Sequence, residues 1–285
     1  MVAAVYILLC LIWGSTWMAI KVGLVDAPPL TTAALRFLLA TVILSSIAFV
    51  RGYRFPRNLK SLIQLGYPGL YIYCISYVCV YFAEQRIDSA LTGTLFGCFP
   101  FFVALLSWIR YRTEKLDKFA WLGMGIGFSG VVVISYESLQ FSGDLFIGTL
   151  LAVAAAFAAA YGVIIHKRHY AGDNIVVSAT AQMIFGGIFL VIGALLFEDI
   201  SDFHVTVESV GSIVYLAVFG TVIAFLGYYW LLARARAVTV SLIAFVTPLV
   251  AIFIGVFFSN EQFTPLLIVG TGLILSGMFL VLRKP

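Results

Sequence analysis

The length of the apolar stretches constrains this chain more than any other feature. Ten runs lie between clusters of charged or turn-forming residues, near residues 3–22, 30–50, 62–83, 89–109, 119–136, 145–165, 175–197, 210–232, 238–258 and 264–282. A helix rising about 1.5 Å per residue needs about 20 apolar residues to cross roughly 30 Å of hydrocarbon. Each run therefore reads as a transmembrane helix. The connections are mostly 3–12 residues long, so none holds a second soluble domain. The runs do not alternate polar with apolar, which excludes a transmembrane barrel. Composition agrees: 62% of the 285 residues are hydrophobic and 11% charged, against about 25% charged in soluble domains. Such a chain cannot cover itself with polar surface in water. An ordinary soluble enzyme, a disordered chain and a nucleic-acid module are excluded, and the expected surroundings are membrane lipid.

Charge fixes the expected orientation, because Lys and Arg accumulate in cytoplasmic loops. With ten spans, the side of the N-terminus holds Arg51, Arg54, Arg57, Lys60, Arg110, Arg112, Lys115, Lys118, Lys167, Arg168, Arg234, Arg236, Arg283 and Lys284, which is 14 of 17 basic residues. Lys21 and Arg86 fall on the opposite side, and Arg36 lies within a span. Ten of the 13 acids fall opposite the basic side. A miscounted span would scramble this alternation. Both termini are expected in the cytoplasm, in a multi-pass protein of the inner or plasma membrane. No basic residue precedes the first run, and Trp13-Gly14-Ser15-Thr16-Trp17 lacks a small-x-small cleavage pattern, so the first helix is expected to be retained. Cys10, Cys74, Cys79 and Cys98 all sit in apolar stretches and read as small core residues, with no disulfide or metal site expected.

The two halves echo one another. GMGIGFSG at 123–130 matches GTGLILSG at 270–277 with an offset of 147. With the offset at 148, Tyr81/Tyr229, Arg86/Arg234 and Pro100/Pro248 also coincide. The fold expected is an all-α integral membrane protein of ten transmembrane helices in two five-helix repeats, residues 1–137 and 144–285. Five is odd, so the second copy enters the membrane inverted. Glu114 and Glu261 then face opposite sides, each capping a helix start. Inverted repeats give two nearly equivalent states, each open to one side.

These residues carry a family resemblance. The chain resembles the EamA-type, ten-helix branch of the drug/metabolite transporter superfamily through I-W-G-S-T-W at 12–17 and L-R-F at 35–37. Pro100 with the basic loop holding Glu114, T-P-L-V-A at 247–251, N-E-Q-F-T at 260–264 and the two glycine runs extend the likeness. The resemblance covers essentially the whole chain. It implies a secondary transporter, with export of an amino-acid-like metabolite favoured.

Candidate pathway residues follow from cost. Pro100 and Pro248 sit mid-span in both halves, where proline kinks a helix. Tyr73, Tyr77 and Tyr81 recur every four residues, with Glu84 continuing that face outward. Phe225 and Tyr229 have the same spacing in span 8, and Trp13 and Trp17 in span 1. Buried tyrosine hydroxyls want partners, so these faces suit a polar, aromatic-lined cavity. Arg36 reads either as an anchor or gate for a substrate carboxylate, or as a structural group paired with Glu84 or with a helix C-terminus. Lys21 reads as a snorkelling residue. Gln182 occupies the place of Arg36 in the second half. His166 and His169 read as cytoplasmic loop residues. Gly123-x-x-x-Gly127 reads as a packing face within the bundle or across a homodimer. The sequence carries no P-loop or enzyme signature, so an enzyme is not expected, no cofactor is expected, and any transport runs on a gradient. The rival readings are drug or cation efflux, a passive channel and a membrane-embedded enzyme.

Overall fold

A computed structural model describes residues 2–111, 118–141, 143–170, 172–241, 243–244, 246–247, 250, 253–254 and 264–282. Pro248, Glu114 and Glu261 lie outside the described residues. The helices are α1 (Val2–Gly23), α2 (Pro29–Val50), α3 (Leu59–Glu84), α4 (Ser89–Phe96), α5 (Phe99–Leu106), α6 (Lys118–Phe141), α7 (Gly143–Tyr170), α8 (Ile175–Phe197), α9 (Val207–Leu232), α10 (Ala237–Ser241) and α11 (Pro265–Leu282). Among the described residues there is no strand, and seven spans are long and apolar enough to cross a membrane. Large apolar side chains such as Val42, Phe128, Ile188 and Phe279 stand exposed on the outside of the bundle. Lipid is the solvent such a surface requires.

Local chemistry sets the helix ends. α2 starts at Pro28-Pro29, where a missing N–H costs nothing. Its next two N–H groups, from Leu30 and Thr31, each donate to the Glu198 carboxylate at 2.7 Å. That carboxylate, from the end of α8, caps a helix of the other half. α2 ends on Gly52 at φ +65°, with Tyr53 N–H donating to Ala48 O and Gly52 N–H to Phe49 O, the double bond that closes a helix on a left-handed residue. Asn58 and Asn174 cap α3 and α8, and Thr206 with Ser209 caps α9 reciprocally.

Two helices carry an identical interruption. α3 contains a π-helical segment, Leu70–Ile75, and α9 contains one at Val218–Ile223. Both helix bounds and both π segments are displaced by 148 residues between the halves. In α3, Pro68 has no N–H for the carbonyl four residues earlier. The Tyr170 hydroxyl donates to that carbonyl, Gln64 O, at 2.7 Å. The sequence reading placed a proline kink at Pro100. The helical run is interrupted at Gly97–Cys98, in the turn preceding that proline, and Pro100 is the second residue of α5. A new helix start tolerates proline where a helix interior does not.

Glycine brings α6 and α11 together. A Cβ on Gly130 would stand 2.6 Å from Gly270 O, and one on Gly277 would collide with Gly123 O and the Gly127 backbone. The contact is reciprocal across the sequence echo, in which Gly123 aligns with Gly270 and Gly130 with Gly277. The two helices therefore run antiparallel. The glycine runs make this contact within the chain, as the packing reading expected. α7 is the other close-packed element, with Ala152, Ala155, Ala156, Ala159 and Ala160 buried against α3 and its neighbours. Small residues let backbones approach where no hydrophobic force separates helix from lipid.

Gly130→Ile or Gly277→Ile is expected to destabilise the detergent-solubilised protein by about 1–3 kcal/mol through overpacking. Gly125→Ala and Gly272→Ala, which face open space, are expected to leave the melting temperature unchanged or slightly raised. Thermal unfolding in micelles measures both.

Candidate functional site

A cavity of about 90 Å³ opens among α1, α3, α4, α5, α7, α9 and α10. At roughly 10–15 Å³ per water position, it has room for several waters or one small organic molecule. Its wall is aromatic, with Trp13, Trp17, Tyr77, Phe96, Phe99, Phe225 and Tyr228, and is dotted with the hydroxyls of Thr16, Ser76, Ser241 and Thr247. The rings brace one another: Trp13 lies 5.1 Å from Tyr228 and 5.5 Å from Phe225, and Trp17 lies 5.3 Å from Phe96.

Arg36 lies directly behind this wall. It is 0% exposed. Its Nε donates to Thr221 Oγ1 at 2.7 Å, and its Nη2 to Gly220 O at 3.2 Å and to Tyr77 Oη at 3.4 Å. Its Cζ stands 4.6 Å from the centre of the Tyr77 ring. Gly220 O also accepts from Trp13 Nε1 at 3.3 Å. Gly220 and Thr221 belong to the π segment of α9, and the Thr221 hydroxyl donates to Leu216 O five residues back. The wider turn presents groups that an α-helix would keep for itself. Gly220 must be small here, since a Cβ would stand 2.8 Å from Thr16 and 3.2 Å from Arg36 Nη2.

A second polar set joins the halves deeper in the bundle. The Tyr73 hydroxyl lies 2.8 Å from that of Tyr229, which donates to Gln182 Oε1 at 2.6 Å. Gln182 Nε2 lies 2.8 Å from His166 Nδ1, and the His166 ring stacks on Tyr229 at 3.9 Å. His166 was expected in a loop; α7 runs through it to Tyr170, and it is 2% exposed. The basic triplet Lys167-Arg168-His169 marks the end of the apolar run but not of the helix. Lys167 Nζ donates to Leu232 O and Ala235 O, closing the C-terminal end of α9.

Of the residues singled out from the sequence, Trp13, Trp17, Tyr77 and Phe225 line the cavity. Tyr73, Tyr81, Gln182, Tyr229, Arg36 and Glu84 are fully buried beside it, and Pro100 is buried next to the lining residue Phe99. Arg36 forms no ion pair with Glu84; no carboxylate among the described residues stands within 4 Å of it. Lys21 does more than snorkel: its Nζ donates to Ile87 O at 3.0 Å and meets Asp88 at 3.3 Å. Sequence reasoning missed Thr16, Ser76, Ser241, Thr247 and Tyr228. Hydroxyl groups in mid-span were the available signal, at Ser76 and Thr247 above all.

A lipid-facing helical bundle around a small aromatic cavity defines a multi-pass integral membrane protein. The sequence matches the EamA-like transporter family over residues 1–136 and 146–283, and the chain belongs to that family. It is 28% identical over 280 residues to the uncharacterized transporter YoaV of Bacillus subtilis, covering 95% of this chain and 92% of that one. It is 26% identical to the uncharacterized inner membrane transporter YedA of Escherichia coli strain K12, covering 96% and 88%. It is also 28% identical to a probable amino-acid metabolite efflux pump of the same strain, covering 96% and 92%. A solved crystal structure at 18% identity superimposes with a TM-score of 0.73 over 99% of this chain and 96% of that one, which establishes the likeness of fold. Family and relatives are transporters, which points away from an enzyme.

Tyr229→Phe is expected to destabilise the protein by about 1–3 kcal/mol, because it leaves the buried Gln182 carbonyl without its donor. Tyr73→Phe is expected to cost less, since Tyr229 keeps its bond to Gln182. Denaturant or thermal unfolding of the two variants gives the order.

Proposed function

We propose that this chain is a secondary transporter of ten transmembrane helices in two inverted five-helix repeats, exporting a small amino-acid-like metabolite across the inner or plasma membrane by alternating access. Both termini are then cytoplasmic. The observation that carries the reading is the reciprocal contact of Gly123 with Gly277 and of Gly130 with Gly270 on antiparallel helices. A two-fold operation that exchanges antiparallel membrane helices has its axis in the membrane plane, and such an axis turns an inward-open state into an outward-open one.

Further features support it. The π segments recur 148 residues apart. The family matches two segments of similar length. Arg36 and its counterpart Gln182 each pack on the π-containing helix of the opposite half, Arg36 at Gly220 and the Gln182 backbone against Gly69. The cavity lies between elements of both halves, where the see-saw has its pivot. The metabolite class draws on the name of the efflux relative and on the size of the cavity. Trp13, Trp17, Tyr77 and Phe225 form the wall the solute touches, while Tyr73, Tyr81, Glu84, Gln182, Tyr229, Pro100 and Pro248 support the moving elements.

Two measurements test this. Proteoliposomes preloaded with one member of an amino-acid and metabolite panel are expected to show saturable, trans-stimulated exchange, with the effect of a pH gradient reporting any proton coupling; unsaturable flux would mean a channel. In a cysteine-free background, Glu114→Cys and Glu261→Cys are expected to react with a membrane-impermeant maleimide from opposite sides. Labelling from one side would overturn the inverted topology.

A further inference from the structure

The wall of the cavity is rich in hydrogen-bond donors that have nothing to give to. Among buried polar atoms without a hydrogen-bond partner are Arg36 Nη1, Trp17 Nε1 and the hydroxyl of Tyr228. Trp17 and Tyr228 line the cavity. Arg36 is one layer behind, in contact with the lining residue Tyr77 and sharing the Gly220 carbonyl with the lining residue Trp13. Indole and guanidinium nitrogens can only donate, and a guanidinium keeps its charge at any physiological pH. The described lining residues include no Asp or Glu, and no described carboxylate lies within ion-pair distance of Arg36. A buried fixed cation and unmet donors in and behind the wall of a cavity are each costly when left as they are. A carboxylate answers each of these costs, since it accepts hydrogen bonds through both oxygens and pairs with a guanidinium.

We propose that the cavity selects cargo bearing one carboxylate, received by Arg36 together with Trp17 Nε1 and the Tyr228 hydroxyl, with an apolar or aromatic body against Phe96, Phe99 and Phe225. This rests on the transporter reading and narrows it. The α-amino group of an amino acid is dispensable, because no acid among the described lining residues answers it. Tyr77 is the element that must give way. Its ring covers the guanidinium, its hydroxyl is a weak 3.4 Å acceptor for Nη2, and a rotation of that side chain exposes Arg36 to the cavity. A cation or a neutral alcohol of the same shape leaves Arg36 as it was.

The test holds the body constant and varies the head group. 3-Phenylpropionate, phenylalanine, phenethylamine and 3-phenylpropanol form one series; 4-methylpentanoate, leucine, isopentylamine and 4-methylpentanol form a second. Binding to the purified protein is read from the thermal shift and from quenching of tryptophan fluorescence, independently of transport. The carboxylates, with or without the amino group, are expected to bind. The amines and alcohols are expected to bind at least about tenfold more weakly, and Arg36→Gln is expected to lower carboxylate affinity by about ten- to a hundredfold. Arg36→Gln is expected to lower the melting temperature without ligand as well, since Thr221, Gly220 and Tyr77 lose a shared partner, so the decisive readout is the ratio of carboxylate to alcohol affinity in the folded variant. Should Arg36→Gln fail to fold, Trp17→Phe and Tyr228→Phe keep the rings, and each is expected to weaken carboxylate binding about three- to tenfold while sparing the unliganded melting temperature. Amines or alcohols binding as tightly as carboxylates overturn the proposal. So does carboxylate affinity that survives all three substitutions, or the failure of every carboxylate to bind. Arg36-dependent carboxylate binding without exchange in proteoliposomes supports the carboxylate site and overturns the transporter reading. Exchange of solutes lacking a carboxylate does the reverse.

Discussion

Hydrocarbon offers a backbone nothing to bond to, so each peptide group that leaves the α-helical ladder has to be met by another part of the protein. Most of the informative contacts in this bundle are answers to that demand. Pro68 strands the Gln64 carbonyl, and the Tyr170 hydroxyl reaches it from another helix. The first N–H groups of α2 find a carboxylate from the end of α8. The last carbonyls of α9 are met by the Lys167 ammonium, whose stem runs along α7. The π segment of α9 turns out the Gly220 carbonyl, and an indole and a guanidinium share it. Each repair joins elements distant in sequence. In three of these repairs, at Gln64, at the start of α2 and at Gly220, satisfying the backbone and fastening the two halves together are accomplished by the same side chains.

That economy places charge in the interior. Arg36 can be buried because Gly220, Thr221 and Tyr77 take three of its bonds. Those bonds leave Nη1 without a hydrogen-bond partner. The corresponding place in the other half is filled by Gln182, a neutral group whose amide is engaged on both ends by Tyr229 and His166. One half is thus electrically quiet where the other holds a fixed positive charge, although their helix lengths and interruptions agree. Two residues of the cavity wall, Trp17 and Tyr228, also carry donors without a hydrogen-bond partner.

What the residues disclosed in advance follows from which forces act locally. Membrane span and apolar exterior are written in runs of 18 or more apolar residues, and the described helices fall where those runs do. The glycine faces of α6 and α11 were legible because close approach needs the absence of a side chain at fixed spacing. Trp13, Trp17, Tyr77 and Phe225 were legible as wall residues because amphipathic rings avoid lipid when a cavity is available. The π segments were not. LYIYCI and VFGTVI contain no composition that distinguishes them from ordinary helix, and Pro68 hints at the first but has no counterpart before the second. His166 was misplaced because a neighbouring cluster of charge looked like a loop, while Lys167 was bonding to carbonyls within the bundle. Two of the three partners of Arg36, Gly220 and Thr221, were out of reach as well, being 184 and 185 residues away along the chain.

The matched π segments also record an order of events. Widening one turn of a helix requires a single additional residue, and that residue stands at the same place in α3 and α9. Under the duplication proposed for this chain, one insertion made in a single-copy ancestor accounts for both. The distorted turn is then older than the fusion, and the ancestral half must already have carried it as a dimer.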